Sequence, residues 1–310
     1  MTPDSWWWRR IGCAKVTMTG CVANGLGNLD KVEPRLAAAL KDALARPGSL
    51  VRATLAYLTG VGMGVREEHA RAIGCGIEYL HTASLIFDDF PAMDDARVRR
   101  GAPCLHVAHG EAVATLAALA LINRGYMLIW QGIGSASAKR RAMAGEWVDA
   151  RLGVHGVIGG QSHDLRGWRG EQSAAEVSAV AARKTGDLLR LTLVLPAIVG
   201  RATPGEIRGL DRIALLRGLA YQAADDLKDV LSPCENSGKS NGRDQEMGRP
   251  NLVMAEGLPA ATRRLRRLNA MADRVQSRLP GSPECWGMLE LLKVPVPECT
   301  VDLMALDSAV

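Results

Sequence analysis

The sequence lacks paired cysteines and long apolar runs. Its 310 residues include seven cysteines, and these form no C-x-x-C pair. An odd, scattered set argues against a disulfide framework and against a zinc site, and it favours a reducing, cytoplasmic location. No run reaches the roughly 18 to 20 uncharged apolar residues that cross a bilayer. We therefore expect no transmembrane segment.

The sequence also has little net charge and little strand-like patterning. The net charge is +5, and the basic residues are scattered or lie near aspartates. That distribution suits a small anionic ligand better than a nucleic acid. Sustained apolar–polar alternation is missing, and Gly159-Gly160 opens no G-x-G-x-x-G turn. The chain therefore does not look like a β protein or a dinucleotide-binding fold.

Apolar residues at helical spacing, separated by Gly, Pro, Ser and Asn, predict a succession of helices from Lys31 onward. The predicted helices cover 32–46, 50–60, 66–87, 110–130, 138–152, 174–200, 204–231 and 259–279. We predict an all-α fold, with one helical-bundle domain over 31–310 around a central cavity. Residues 1–30, which include Trp6-Trp7-Trp8, are expected to form a tail that is flexible or docked on the domain.

Two aspartate clusters each follow an apolar stretch that is predicted to be a buried helix. Carboxylates at the end of such a helix need a positive partner, unless they form a solvated acidic helix end. Mg²⁺ takes oxygen ligands and bridges to substrate phosphates. The pair therefore predicts a diphosphate held through magnesium above an apolar pocket. The clusters are Asp88, Asp89, Asp94 and Asp95, and then Asp225, Asp226 and Asp229.

The two clusters differ in their geometry. Asp225 and Asp229 are four residues apart, so both project from one helix face. Asp88 and Asp94 are six residues apart and do not share a face. Pro91 lies between them and disfavours helix at the residue before it. We expect this segment to leave the helix as a loop that returns Asp94 toward Asp88.

Several motifs in order resemble the trans-isoprenyl diphosphate synthases, or polyprenyl synthetases, from about Arg46 to Gly257. D-D-F-P-A-M-D-D followed by A-R-V-R-R-G resembles the first aspartate-rich motif, and Y-Q-A-A-D-D-L-K-D resembles the second. G-Q-S-H-D-L (160–165) and R-K-T-G (183–186) lie between them. G-K-S-N-G-R-D-Q-E-M-G-R-P-N-L-V (238–253) follows the second. L-A-A-L-A-L (116–121) is similar to bacterial geranylgeranyl diphosphate synthases.

The resemblance implies a homodimeric, magnesium-dependent enzyme that condenses isopentenyl diphosphate with dimethylallyl, geranyl or farnesyl diphosphate. It implies three Mg²⁺ ions and these metal-binding residues: Asp88, Asp89, Asp94, Asp164, Asp225, Asp226 and Asp229. Of the chain's residues, Asp88, Asp89, Asp225 and Lys184 are expected to be catalytic. At the allylic diphosphate the resemblance implies Arg99, Lys184, Lys239, Thr185 and Gln222. At isopentenyl diphosphate it implies Arg52, His81 and Arg100. It places Gln161 and Asp164 near the second diphosphate and metal.

One motif departs from the family pattern G-K-R-x-R-P. This chain has G-S-L-V-R-A, so Ser49 and Leu50 replace two basic residues and only Arg52 remains. Each lost charge-assisted hydrogen bond contributes on the order of 1.5 to 3 kcal/mol. We expect weaker binding of isopentenyl diphosphate, unless other bases compensate or the second substrate is unusual. The polar stretch 232–250 is expected to act as a lid.

Product length is expected to depend on the helix that ends at Asp88. Ala83 and Ser84 lie roughly 6 to 7.5 Å below the aspartates, and in this family aromatic residues there stop elongation early. Both are small here, which predicts geranylgeranyl diphosphate (C20). The alternatives are a farnesyl diphosphate synthase (C15) and a catalytically weak or regulatory subunit. A class I terpene cyclase is disfavoured, because Asp225, Asp229 and Pro233 do not match its second metal motif.

Overall fold

The computed structural model describes residues 6–166, 168, 173–231, 247–281 and 283–297. The α-helices are α1 (Trp6–Asn24), α2 (Pro34–Ala45), α3 (Val51–Gly62), α4 (Glu67–Asp88), α5 (Leu105–His109), α6 (Glu111–Ile133), α7 (Ala138–Leu152), α8 (Val157–Asp164), α9 (Ala174–Ala181), α10 (Asp187–Val199), α11 (Pro204–Leu231), α12 (Leu252–Glu256) and α13 (Leu258–Gln276). A π-helix (Ala182–Gly186) joins α9 to α10, and a 3₁₀-helix spans Pro283–Leu292. Two short antiparallel strands, β1 (Val98–Arg99) and β2 (Ala102–Pro103), form a hairpin. The all-α prediction is confirmed.

Among the described helices, α4 and α6 form the most extensive pairing, and glycines bring them close together. A Cβ atom added at Gly76 on α4 would lie 2.6 Å from the carbonyl oxygen of Gly125 on α6. Only a residue without a side chain allows the backbones to approach so closely. The helix α10 is buried almost throughout its length and packs against α3, α7 and α11. The helix α10 also contacts α4, which ends at Asp88.

The helix α1 differs from the flexible alternative that we considered for residues 1–30. Between residues 6 and 24 the chain is helical, and one face is buried at Trp7, Ile11, Ala14, Met18 and Val22. That face packs against α3 and α4. The spacing of these five residues follows a helical face, so burial of apolar area stabilises the docked arrangement.

Among the described helices, α6 alone is long and apolar enough to cross a membrane by length and composition. A core helix passes the same test, and α6 lies along α4 with Ala114, Ala117, Ala118 and Leu121 fully buried. Arg124, in the middle of α6, donates from Nε to the carbonyl oxygen of Gly25 at 2.7 Å.

Candidate active site

The first aspartate cluster begins where α4 ends. The loop after Asp88 folds back, because the amide of Asp94 donates to the carbonyl oxygen of Asp88 at 2.9 Å. The amide of Ala96 likewise donates to the carbonyl oxygen of Asp89 at 3.1 Å. Asp95 holds the turn with a φ of 45°, a conformation that aspartate tolerates better than most residues. The predicted loop that returns Asp94 toward Asp88 is confirmed.

Asp88 lies in a desolvated and crowded environment. Gln161 on α8 donates from Nε2 to Oδ1 of Asp88 at 2.7 Å. Burial, helped by the neighbouring Asp94 and Asp164 carboxylates, raises the pKa of Asp88 to about 6 against the lowering effect of Lys184 and Arg99. A carboxylate that is costly to ionise here is one that a divalent cation would stabilise.

Lys184 and Arg249 join the first aspartate cluster to α8. Lys184 Nζ donates to Oδ2 of Asp164 at 2.6 Å. Burial lowers the pKa of Lys184, but the carboxylates of Asp164 and Asp88 outweigh that effect, so its net pKa is raised. Arg249 donates from Nη2 to Oδ1 of Asp94 at 3.0 Å and to the Met93 carbonyl oxygen at 2.8 Å. Lys184 therefore stays charged beside the carboxylates.

Arg249 is not among the site residues predicted from the sequence. Its guanidinium also donates from Nη1 to the carbonyl oxygen of Asp164 at 3.3 Å, and the residue is 8% exposed. The available signal was its position in G-R-P-N-L-V, where Pro250 and the capping residue Asn251 begin α12. A basic residue at the end of the predicted lid (232–250), just before a helix, is such a signal.

Asp89 is held by Arg99 from the β-hairpin. Arg99 Nε lies 2.8 Å from both carboxylate oxygens of Asp89, and Nη2 lies 2.6 Å from Oδ1. The carboxylate is almost completely buried. Charge-assisted contacts of this kind are among the stronger hydrogen bonds. In this structure Asp89 is the partner of Arg99, so both a metal role for Asp89 and a diphosphate role for Arg99 require this pair to be shared or rearranged.

The π-helix presents Lys184 and Thr185 between two glycines. A Cβ at Gly160 on α8 would lie 2.5 Å from the Lys184 amide nitrogen, and one at Gly218 on α11 would lie 2.9 Å from Cα of Gly186. Wide single turns inside α-helices occur frequently at functional sites. Thr185 Oγ1 donates to Oε1 of Gln222 at 3.0 Å, which connects the π-helix to the second aspartate cluster.

The three aspartates of the second cluster have different surroundings. Asp225 is exposed, and Asp229 follows one helical turn later on the same face of α11. Asp226 is 1% exposed and points elsewhere: its Oδ1 accepts from Gln222 Nε2 at 2.8 Å and its Oδ2 from the Leu252 amide at 2.8 Å. The first of these bonds lies within α11 and the second joins α11 to α12, so a metal role for Asp226, which stays a prediction, requires them to rearrange.

Arg52 on α3 and His81 on α4 are in contact, and His81 precedes Asp88 by two helical turns. Arg52 Nη1 lies 3.1 Å from Nε2 of His81. Burial, together with the charges of Arg52, Arg100 and Arg99, lowers the pKa of His81 well below its usual value. A neutral imidazole accepts a hydrogen bond from Arg52. Glu78, one turn earlier, accepts from the amide of Ala53 at 3.1 Å, and burial raises its pKa.

The departure at G-S-L-V-R-A has a clear structural consequence. Leu50 is 2% exposed in the core and has a φ of 53°, whereas Ser49 is exposed. Arg100 turns toward this segment, donating from Nη1 to the Arg46 carbonyl oxygen at 2.6 Å. A Cβ at Gly48 would lie 2.5 Å from the guanidinium carbon of Arg100. Arg100 therefore lies against the backbone of the segment that lost its two cations.

Ala83 and Ser84 have different surroundings. Ala83 is fully buried in an apolar cluster that includes Ile86, Ala117 and Leu121. Ser84 is half-buried and donates to the carbonyl oxygen of His81 at 2.8 Å. Lys239 and most of the predicted lid (232–246) lie outside the described residues.

Comparison with known proteins agrees with this geometry. Residues 33–279 match the family model for polyprenyl synthetase. The chain belongs to the polyprenyl synthetase family. As a member of that family it is an enzyme of the trans-prenyltransferase class.

Three relatives illustrate the range of the family. Over 232 residues the chain is 35% identical to geranylgeranyl diphosphate synthase of Pantoea ananas, covering 74% of each chain. It is 33% identical over 199 residues to farnesyl diphosphate synthase of Bacillus subtilis (strain 168), covering 63% of this chain and 67% of that one. The crystal structure of geranyltransferase from Helicobacter pylori, complexed with magnesium and isoprenyl diphosphate, has the same fold, with a TM-score of 0.80 and 23% identity over 94% of this chain and 98% of that chain.

Proposed function

We propose that this enzyme uses Mg²⁺ to condense isopentenyl diphosphate with an allylic diphosphate, with geranylgeranyl diphosphate as its main product. The observation that carries the proposal is the cluster of Asp88, Gln161, Lys184, Asp164 and Arg249. It combines a carboxylate whose pKa is raised by burial with two cations held in place by hydrogen bonds. Such a cluster is suited to a metal-bound diphosphate.

The donor set supports magnesium. The ligands that we propose are all carboxylates, namely Asp88, Asp89, Asp94, Asp164, Asp225 and Asp229, and Mg²⁺ prefers such oxygens. Within the described residues, no group of three or more acidic, histidine or cysteine side chains forms a metal site by itself. Mg²⁺ commonly keeps several waters and shares substrate phosphates, so we propose that the diphosphate completes the coordination of three ions. When bound, the metal stabilises the negative charge of the departing diphosphate.

The chain's own cations would complete that neutralisation. Lys184, Arg99 and Lys239 are proposed to contact the allylic diphosphate, with Thr185 and Gln222 as hydrogen-bonding partners. Arg52, His81 and Arg100 are proposed to bind isopentenyl diphosphate, where the neutral state of His81 avoids further repulsion between cations.

The face of α4 below Asp88 supports a C20 product. Ser84 and Leu80 precede Asp88 by four and eight residues and therefore share its face. Leu80 contacts α6, since a Cβ at Gly125 would lie 3.1 Å from its Cγ. Tyr79 belongs to another face, where its hydroxyl donates to the Val22 carbonyl oxygen at 2.8 Å. A small Ser84 leaves the path of the growing chain open down to Leu80.

An assay of the purified protein with Mg²⁺, isopentenyl diphosphate and each allylic primer tests the proposal. We expect C20 alcohol as the main product after dephosphorylation and chromatography. C15 as the end product would identify a farnesyl diphosphate synthase. Absence of turnover with all three primers would contradict the proposed activity and favour a regulatory subunit.

We also propose a homodimer formed through α6. Its outer face carries Leu116, Leu119, Met127 and Trp130, which are about half exposed and follow one stripe along the helix. An exposed apolar stripe of this length is typical of a protein interface.

A further inference from the structure

A cavity of about 220 Å³ lies beside Arg52, between α3, α11 and the chain that follows the 3₁₀-helix. Ser49, Arg52, Thr185, Asp225 and Lys293 all line it. It therefore connects the proposed isopentenyl diphosphate side with the second aspartate cluster. A diphosphate entering this cavity would meet Arg52 at one wall and the metal-binding face of α11 at another.

The wall at Ser49 has lost the positive charge that the family motif provides. Ser49 contributes only a hydroxyl, and Leu50 is buried in the core. Arg52 is partly engaged by His81, and Arg100 donates to the backbone at Arg46. A second anion in this cavity therefore needs a cation from another part of the chain.

Lys293 is the residue that brings such a cation. It directly follows the 3₁₀-helix, and its side chain is 52% exposed. Its Nζ lies 2.8 Å from Oε2 of Glu290, three residues earlier. Ion pairs with this much solvent contribute little. A diphosphate, with more charge and more acceptor oxygens, would compete well for the ammonium group.

The backbone beside Lys293 is fixed by a buried arginine. Asn269 on α13 donates from Nδ2 to the carbonyl oxygen of Val294 at 2.8 Å. The Asn269 side-chain oxygen in turn accepts from Nη1 of Arg217 at 2.6 Å, and Arg217 also donates to Asp273 at 2.6 Å. Arg217 is 2% exposed and lines the same cavity. Lys293 is therefore held at the edge of the cavity by the following residue.

The N-terminal helix supports the same segment. A Cβ at Gly287 would lie 2.3 Å from Cδ1 of Trp7, so the indole packs directly on the 3₁₀-helix backbone. Leu289 and Leu292 are buried beneath it. Both α1 and residues 283–297 lie outside the part that matches the family model, which spans 33–279. The segments that position Lys293 therefore lie outside the family model.

We propose that Lys293 supplies the second diphosphate with the positive charge that Ser49 does not. This inference rests on the proposed function, because it assumes that isopentenyl diphosphate binds beside Arg52. Lys228 also lines the cavity, but it lies between Asp225 and Asp229 on α11, next to the proposed metal ligands.

The test compares Lys293→Gln with Lys139→Gln, which removes an exposed lysine on α7. We expect Lys293→Gln to raise the KM for isopentenyl diphosphate about tenfold, as expected for loss of one charge-assisted contact, with little change in the KM for the allylic substrate. Lys139→Gln should change neither. Adding Ser49→Lys to Lys293→Gln should restore the KM, because it returns the missing cation to the same wall. Glu290→Gln, which removes the ion-pair partner of Lys293, should leave the KM for isopentenyl diphosphate unchanged or lower it.

Calorimetric titration with isopentenyl diphosphate alone measures the binding of this substrate separately from its turnover. A dissociation constant that rises in Lys293→Gln and recovers in the double variant supports the role of Lys293, even if no primer is elongated. Isopentenyl diphosphate that binds and turns over equally well in Lys293→Gln would overturn the inference but not the proposed function. An equal rise in both KM values, or no recovery with Ser49→Lys, would show that Lys293 only stabilises the C-terminal segment.

Discussion

At the scale of single residues, Asp88 is a carboxylate whose surroundings disfavour its ionised form. Its carboxylate is desolvated, and its pKa is raised to about 6, although Gln161 and Lys184 are close. Ionising it therefore costs free energy in the absence of a cation. The Mg²⁺ that we propose at this site would offset that cost.

We expect Asp88→Asn or Asp225→Asn to lower turnover on the order of 100-fold or more, because each removes a proposed magnesium ligand. Thermal unfolding in EDTA should show an intact fold for both. Asp95→Asn is the matched control, since Asp95 is exposed and asparagine also tolerates its positive φ. Wild-type turnover in metal-free buffer would rule out these assignments.

Product length provides a second prediction at this scale. Ser84→Phe should place an aromatic ring on the face below Asp88 and shift the main product from C20 to C15. Ala83→Phe should instead overpack the cluster around Ala117 and destabilise the fold by about 1 to 3 kcal/mol. Chromatography of the products and thermal unfolding distinguish the two. A folded, active Ser84→Phe enzyme that still makes C20 would refute the floor assignment.

His81 gives a prediction about pH. The pKa of His81 is well below 6.5 in the folded chain. On acidification, His81 is therefore protonated in the unfolded chain at a higher pH than in the folded chain. The contribution to stability is present above pH 6.5 and is lost as the pH falls, by up to about 1.4 kcal/mol per pH unit. In His81→Gln the free energy of unfolding should depend less steeply on pH between pH 6.5 and 5. An unchanged slope would mean that His81 is protonated in the folded state.

At the scale of secondary-structure elements, the long helices could be predicted closely from the sequence. The helix predicted at 66–87 is observed as Glu67–Asp88, and the helix predicted at 204–231 is observed as Pro204–Leu231. Apolar spacing and flanking Gly or Pro carry that information locally. The first aspartate cluster begins where α4 ends, and the second lies within the last two turns of α11.

The π-helix and the docking of α1 could not be predicted in the same way. Residues 174–200 read as one helix, because a wide turn leaves the apolar pattern almost unchanged. The π-helix packs closely against Gly160 and Gly218, which lie on two other elements and far apart in sequence. The burial of Asp226 likewise depends on Leu252, which belongs to another element. Such properties come from tertiary contacts.

Gly218 tests the π-helix as an element. Gly218→Ala should push the Cα of Gly186 away, lower stability by about 1 to 3 kcal/mol and reduce turnover, since Lys184 and Thr185 would shift together. Gly205→Ala on the same helix is the control, because its nearest neighbour would be 3.9 Å away. If both variants unfold and turn over like the wild type, the close approach at Gly218 does not position the π-helix.

At the scale of the whole molecule, the apolar stripe on α6 is exposed to solvent in a single chain, and the proposed dimer would bury it. Light scattering at micromolar concentration should give twice the chain mass of 33.2 kDa. Met127→Glu should reduce the mass toward that of one chain, by placing a charge in the apolar stripe. A monomeric wild type under these conditions would contradict the proposed dimer.

The contact between Trp7 and Gly287 also governs the order in which the molecule can be completed. The two residues are separated by almost the whole described chain, and closing so long a loop is slow because its entropy must be lost before the contact forms. During synthesis, the first helix leaves the ribosome long before its partner exists. The wall of the cavity that carries Lys293 is therefore among the last parts to form, and a nascent chain with both aspartate motifs still lacks it.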